Sequence, residues 1–353
     1  MKRKVVIFLL VVLMLAGCAG GVVSPRSQVV GGEIWPTRGW QTSTPQEQGL
    51  DPVLLEEMQA AIREKKINLH SLLIIRNGYI VSETYYGSNR QNTLHTQYSV
   101  TKSFISTLTG IAFDQGKLTR LDQPVFDLLP GQTFENSDAA KQSMTLENLL
   151  TMTSGLDWEE GDPVYREMYM SPDWVKMVMD LPMEGQPGEE FVYCSGCSHI
   201  LAGILYGATG QDLADFAREN LFEPLGIKNY RWENDRQGIP IGGWGLELTA
   251  RDMAKLGYLY LHEGKWEDKT IVSSSWVQAA TKEHISTGGR LGYGYQWWTY
   301  PTHGAYTALG RDGQTIFVVP ELDMVIVTTA EIHAGHDPIF ELIDNYILPA
   351  AEE

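Results

Sequence analysis

The chain has 353 residues, with 27 Lys and Arg against 44 Asp and Glu, for a formal charge of −17. That length, with 43% hydrophobic residues, is enough to bury a sizeable core. The acidic balance repels nucleic acid and acidic polymers, which excludes a nucleic-acid partner but leaves small substrates open.

Lys2, Arg3 and Lys4 precede an unbroken apolar run from Val5 to Leu15, which ends in Leu15-Ala16-Gly17-Cys18. This is the order of a basic region, an apolar region and a small-residue cleavage site. The run is shorter than the roughly 20 residues a membrane-spanning helix needs. It resembles the bacterial lipoprotein signal, with the lipobox matched at all four positions. The resemblance implies cleavage after residue 17, acylation of the Cys18 thiol and anchoring to a membrane on its extracytoplasmic side. Cleavage would leave 24 basic against 44 acidic side chains, a charge of −20. Residues 18–44 are rich in Gly, Ser, Pro, Thr and Gln without a sustained period and read as a tether. A domain is expected over 45–350.

From Leu50 to Ile67 the apolar residues recur at helical spacing, with Asp51 and Pro52 at the start. Leu72 to Arg76 and Tyr79 to Val81 flank Asn77-Gly78, which predicts a β-hairpin with a type I′ turn. From Ser99 through Ala112 the pattern is helical and apolar nearly all round, the mark of a buried helix. Residues 118–240 read as a mainly helical lobe. Within it, Leu121 to Leu129, His199 to Ala208 and Leu213 to Leu221 are helices, and Thr145 is an N-cap three residues before an acceptor side chain. Asp157 to Gln186 is acidic and rich in Trp, Tyr and Met, a composition that suits either a substrate cleft or core. Strand character returns at Tyr293 to Trp298, Thr315 to Val319 and Met324 to Thr328, and Asp337 to Leu348 closes the chain as an amphipathic helix. A lone hairpin is marginally stable, so the strands near both ends must share one sheet. The fold class is α+β: an antiparallel sheet flanked by the terminal helices, with the helical lobe inserted between its halves.

Ser99 and Lys102 stand three apart where the buried helix begins, so hydroxyl and amine share one face. A serine needs a neighbouring base to attack a carbonyl, and a lysine lowered in pKa by burial can be that base. Pro187 to Ser195 then places Tyr193 and Ser195 two apart before a helix. Of the cysteines, Cys194 and Cys197 remain after Cys18. Their C-x-x-C spacing lacks a second ligand pair and a βαβ context, so they read as small buried residues or a local disulfide rather than a redox or zinc centre. No metal and no cofactor is expected.

Ser-x-x-Lys at Ser99, Tyr-x-Ser at Tyr193, Thr145 to Leu156, Phe222 to Ile227 and Gly242 to Leu246 leading to Thr249 to Ala254 together resemble the penicillin-recognising serine hydrolases, in the class C β-lactamase-like esterase and amidase branch. The resemblance spans about residues 47 to 350. Tyr193-Cys194-Ser195 and Gly310-Arg311-Asp312-Gly313-Gln314 are most similar to the 6-aminohexanoate-dimer hydrolase group. It implies a β-lactamase/transpeptidase-like fold and an acyl-enzyme on Ser99, with Lys102 and Tyr193 as general base and acid. It also implies backbone N–H donors from Ser99 and Arg311 for the oxyanion, with Gly310, Gly313 and Ser195 beside the substrate or Lys102. Ser195 can alternatively be only an N-cap. Lys102 is expected to be lowered by burial and the Tyr193 phenol to be lowered by the nearby ammonium. Asp162 and Tyr165 are candidate substrate contacts, whereas His303 and His333 read as surface or core histidines. No Lys-Thr-Gly precedes the Thr315 strand, so the cation that holds a β-lactam or peptide carboxylate is missing. The expected substrate is a small ester or amide. A β-lactamase or D-alanyl-peptide hydrolase is the alternative, ahead of a silent binding protein of the same fold. The oligomeric state is left open.

Overall fold

The computed structural model describes residues 34–161 and 163–352. The expected signal at 1–17, Cys18, the first part of the tether and Asp162 lie outside the described residues.

Asn77 and Gly78 both have positive φ, 50° and 82°, as a type I′ turn requires. They join strands Leu69–Arg76 and Tyr79–Tyr85. The free edge of Leu69–Arg76 pairs antiparallel with Met324–Ala330, setting Leu73 opposite Val327 and Ile75 opposite Val325. The two ends of the chain therefore share one sheet. Its strand order is Gln41–Thr42, Tyr79–Tyr85, Leu69–Arg76, Met324–Ala330, Gln314–Val319, Tyr306–Gly310, Trp298–Thr299, Gly292–Tyr293 and Ile285–Ser286. All of these pairs are antiparallel except the one between Gln41–Thr42 and Tyr79–Tyr85.

Alternation along the strands separates two cores. Leu72, Ile74, Phe317 and Ile326 pack with Met58, Ile62, Ile339 and Ile343 of the terminal helices. Leu73, Ile75, Ile316, Val318, Val325 and Val327 pack with Leu256 and the helical lobe. Helix Ala250–Leu261 lies on this second face, and Gly257 lets it approach closely: a Cβ there would stand 2.6 Å from Val325 Cγ1 and 2.8 Å from Ile316 Cγ2. With both faces covered, the central strands are apolar throughout rather than alternating apolar with polar.

In the lobe, the Thr145 side chain accepts from Asn148 N–H and the Asn148 side chain accepts from Thr145 N–H, a reciprocal cap on Leu146–Leu150. Lys141 is fully buried and donates to the carbonyls of Glu135, Met179 and Leu181, tying three loop ends together. Cys194 and Cys197 form a disulfide.

Three expectations are corrected. Tyr293 to Trp298 is two short strands, because Gln296 turns aside with φ 59° to bond the carbonyls of Leu149 and Leu150 in the lobe. Tyr306–Gly310, not anticipated, is a fully buried strand between Trp298–Thr299 and Gln314–Val319. Part of the expected 18–44 tether is packed instead: Trp35 packs on Tyr258 and Trp266, Trp40 is buried, and Gln41 pairs with Tyr79.

Candidate active site

Ser99 lies in the tight turn Tyr98–Val100 that leads into helix Thr101–Asp114. Tyr98 is held at φ 46°, a left-handed conformation unfavourable for a bulky side chain and typical of a constrained functional turn. The helix is buried through Ala112, so Lys102 is carried inside with it and is 1% exposed.

The Lys102 ammonium donates to Ser99 Oγ at 2.9 Å, Ser195 Oγ at 2.9 Å and the Gly243 carbonyl at 2.8 Å. Burial lowers its pKa to about 8, opposed by the negative charge of Glu160. The Lys102 nitrogen also lies 4.8 Å from the Tyr193 ring centroid. Tyr193 stacks on Trp298 at 5.7 Å and 23°, which fixes its ring. Burial raises the Tyr193 phenol well above its ordinary value, against the lowering effect of the Ser99 hydroxyl beside it. The expected lowering by a nearby ammonium is thus corrected: burial dominates at both groups and moves them in opposite directions.

Two further elements close on Ser99. The Tyr306–Gly310 strand runs against its turn, and Gly310 and Arg311 line the same cleft as Ser99, Tyr193 and Ser195. The cleft has a volume of about 990 Å³. The segment Gly242-Gly243 packs on helix Ser195–Thr209 so tightly that a Cβ on Gly242 would stand 2.1 Å from the Ser198 carbonyl oxygen. Behind it, Gly242 N–H donates to His199 Nδ1, and His199 Nε2 faces Asp235 Oδ2 at 3.1 Å with both side chains fully buried. This buttress aims the Gly243 carbonyl at Lys102.

The acidic, aromatic segment supplies both cleft and core. Tyr165, Arg166, Tyr169 and Met170 line the cleft, with Trp244 5.0 Å from Tyr165, while Trp158 and Trp174 are core. Sequence reasoning missed Glu160, whose carboxylate accepts from the Trp158 indole at 2.7 Å, Ser195 N–H at 3.1 Å and the hydroxyls of Ser195 and Tyr165. The acidic run around it was the available signal, but nothing in the sequence selects one carboxylate from that run. His336 also lines the cleft unforeseen, its pKa lowered by burial.

Gly313 does not line the cleft. It has φ 93°, faces Ala330 and Ile332, and its carbonyl accepts from Thr328, so its place is the turn. Ser195 is the first helical residue, and the N-cap is Cys194, whose sulfur accepts from Cys197 N–H. His303 pairs with Glu321 and Glu352, and exposed His333 pairs with Asp312, both away from the cleft lining. Among the described residues no group of three or more His, Cys, Asp or Glu side chains could hold a metal ion.

The beta-lactamase family model matches residues 56–341. A 6-aminohexanoate-dimer hydrolase of Paenarthrobacter ureafaciens is 25% identical over 328 residues, covering 84% of this chain and 82% of that protein. Esterase EstB of Burkholderia gladioli is 26% identical over 204 residues, 51% of this chain and 52% of its own. Among solved structures, EstCE1, described as a hydrolase with promiscuous acyltransferase activity, superposes with TM-score 0.72 at 20% identity, covering 87% of this chain and 100% of that one. The two sequence relatives support a hydrolase in general, and the fold, shared with EstCE1, is β-lactamase/transpeptidase-like. The chain belongs to the beta-lactamase family.

Proposed function

We propose that the protein is a serine hydrolase that cleaves a small ester or amide through an acyl-enzyme on Ser99. The observation that carries this reading is the buried Lys102 nitrogen 2.9 Å from Ser99 Oγ. Neutral Lys102 takes the Ser99 proton as Ser99 Oγ bonds to the substrate carbonyl carbon and the carbonyl electron pair moves to oxygen. The backbone N–H groups of Ser99 and Arg311 receive that oxyanion, each worth about 3 to 4 kcal/mol in the transition state. As the intermediate collapses, the leaving alkoxide or amine takes a proton from the Tyr193 phenol, which is replenished from the Lys102 ammonium. Water then attacks the acyl-enzyme, with the same groups accepting its proton and returning one to Ser99. Proton transfer of this kind contributes about 10² to 10⁴ in rate.

A second reading, a β-lactamase or D-alanyl-peptide hydrolase, is favoured by one observation. The Arg311 guanidinium lines the cleft 5.6 Å from the Tyr98 ring, with no carboxylate partner among the described residues. It could take the carboxylate for which no Lys-Thr-Gly is present.

Turnover of p-nitrophenyl acyl esters, short linear amides and nitrocefin, with Ser99→Ala as control, separates these readings. Ester or amide turnover that disappears in Ser99→Ala is expected. Turnover that survives the substitution overturns the mechanism, and nitrocefin hydrolysis faster than ester hydrolysis reverses the order of the two readings. By the lipobox resemblance, we also propose that the mature protein is held to a membrane through Cys18.

A further inference from the structure

Neutral Lys102 has two N–H groups and one lone pair, and it can act as a base toward Ser99 only if the lone pair faces Ser99. The Gly243 carbonyl takes one N–H, since a carbonyl only accepts. Ser195 is ambiguous on its own: its hydroxyl can accept the second N–H or turn and donate to the lone pair, which would quench the base. The direction of the Ser195 hydroxyl therefore decides whether the site works.

Glu160 removes the ambiguity. Ser195 Oγ donates to Glu160 Oε1, and Ser195 N–H donates to Glu160 Oε2 at 3.1 Å, so the carboxylate grips Ser195 at two points. Trp158 and Tyr165 supply one more donor to each carboxylate oxygen. Four donors and no acceptor suit an ionised carboxylate. With its proton committed to Glu160, Ser195 Oγ presents only lone pairs to Lys102 at 2.9 Å. Two N–H groups are then spoken for, and the lone pair faces Ser99.

We propose that Glu160 is a positioning residue: acting through Ser195, it orients the Lys102 lone pair toward Ser99 and balances the ammonium that forms when Ser99 gives up its proton. This rests on the serine-hydrolase reading above. Among the described residues, Glu160 is the carboxylate whose charge acts on Lys102, and none touches Lys102 directly. The other titratable or charged groups around the cleft, among the described residues, are Tyr98 of the Ser99 turn, Tyr165, Arg166 and Tyr169 of Val164–Met170, Tyr193 before helix Ser195–Thr209, Tyr293 of its short strand, Arg311 after Tyr306–Gly310, and His336.

The test compares Glu160→Gln, Ser195→Ala and the double variant in the full chain, with p-nitrophenyl acetate as probe and circular dichroism as a folding check. Glu160→Gln should lower kcat about tenfold to a hundredfold while KM moves less than about threefold, because ground-state contacts remain. Removing the negative charge disfavours the ammonium, so the acidic limb of the kcat/KM profile should move to lower pH by about half a unit or more. The double variant should be slower than Ser195→Ala by less than Glu160→Gln is slower than wild type, since the orienting part of the effect acts through that hydroxyl and only the charge acts across space. A Glu160→Gln variant with wild-type kcat and an unmoved limb, an effect on KM alone, or losses that multiply in the double variant would each overturn the proposal. Turnover that no longer depends on Ser99 would instead strike the serine-hydrolase reading, so the two failures are distinguishable.

Discussion

Gly310 and Gln97 approach so closely that a Cβ on Gly310 would stand 2.2 Å from the Gln97 carbonyl oxygen. Gly310 has φ −127° and ψ 153°, extended backbone that any residue can adopt, so the glycine is there for space. That contact sets the distance between the strand leading to Arg311 and the turn that carries Ser99. Gly310→Ala should push the two apart, lowering kcat about a hundredfold, as an ångström-scale misplacement does. Overpacking should cost about 1 to 3 kcal/mol of stability. Steady-state kinetics with a denaturant melt on one preparation checks both.

Lys102 must be neutral to accept a proton, and burial places its pKa at about 8. With the group lowered from its ordinary value of 10.5, the neutral fraction is about a tenth at pH 7 and about half at pH 8. kcat/KM should therefore rise with pH through an apparent pKa near 8. Tyr193 is raised rather than lowered, so it should cause no fall in rate up to about pH 10. A profile of ester hydrolysis corrected for spontaneous breakdown tests this, and a flat profile between pH 6 and 9 would count against Lys102 as the base.

Ser99, Lys102 and Tyr193 were legible because the first two share one helical turn and the third sits in a local motif. Gly310 and Arg311 were legible for the same reason. Glu160 was not, because it reaches Ser195 by tertiary packing from a run in which Glu159 and Glu160 look alike. The Gly243 carbonyl was hidden because a backbone group has no signature beyond the glycines around it. The shared sheet followed from the apolar hairpin and the C-terminal strands. Tyr306–Gly310 escaped because Ala308, Leu309 and Gly310 lack the β-branched run that marks the equally buried strands beginning at Gln314 and Met324. The packing of Trp35 and Trp40 escaped because the polar residues around them read as a linker.

Lys141 joins three carbonyls far from the chemistry. Lys141→Met keeps much of its volume but strands those acceptors, which should destabilise the protein by about 3 kcal/mol. The denaturation midpoint should fall with an unchanged m-value, while kcat of the folded variant stays within about twofold.

Membrane attachment has its own check. In a bacterial host that processes lipoproteins, the wild-type chain should sediment with membranes and take up labelled fatty acid. Cys18→Ala should release it to the soluble fraction without label. Equal membrane association of both forms would remove Cys18 as the anchor.

The central claim is a covalent bond at Ser99. Intact-mass and peptide analysis of the folded protein after treatment with a fluorophosphonate measures it most directly. The account predicts one adduct on the peptide containing Ser99, absent from Ser99→Ala and slowed when the Lys102 amine is removed in Lys102→Met. An adduct of the same size and rate on Ser99→Ala, or none on the folded wild-type protein, would contradict it.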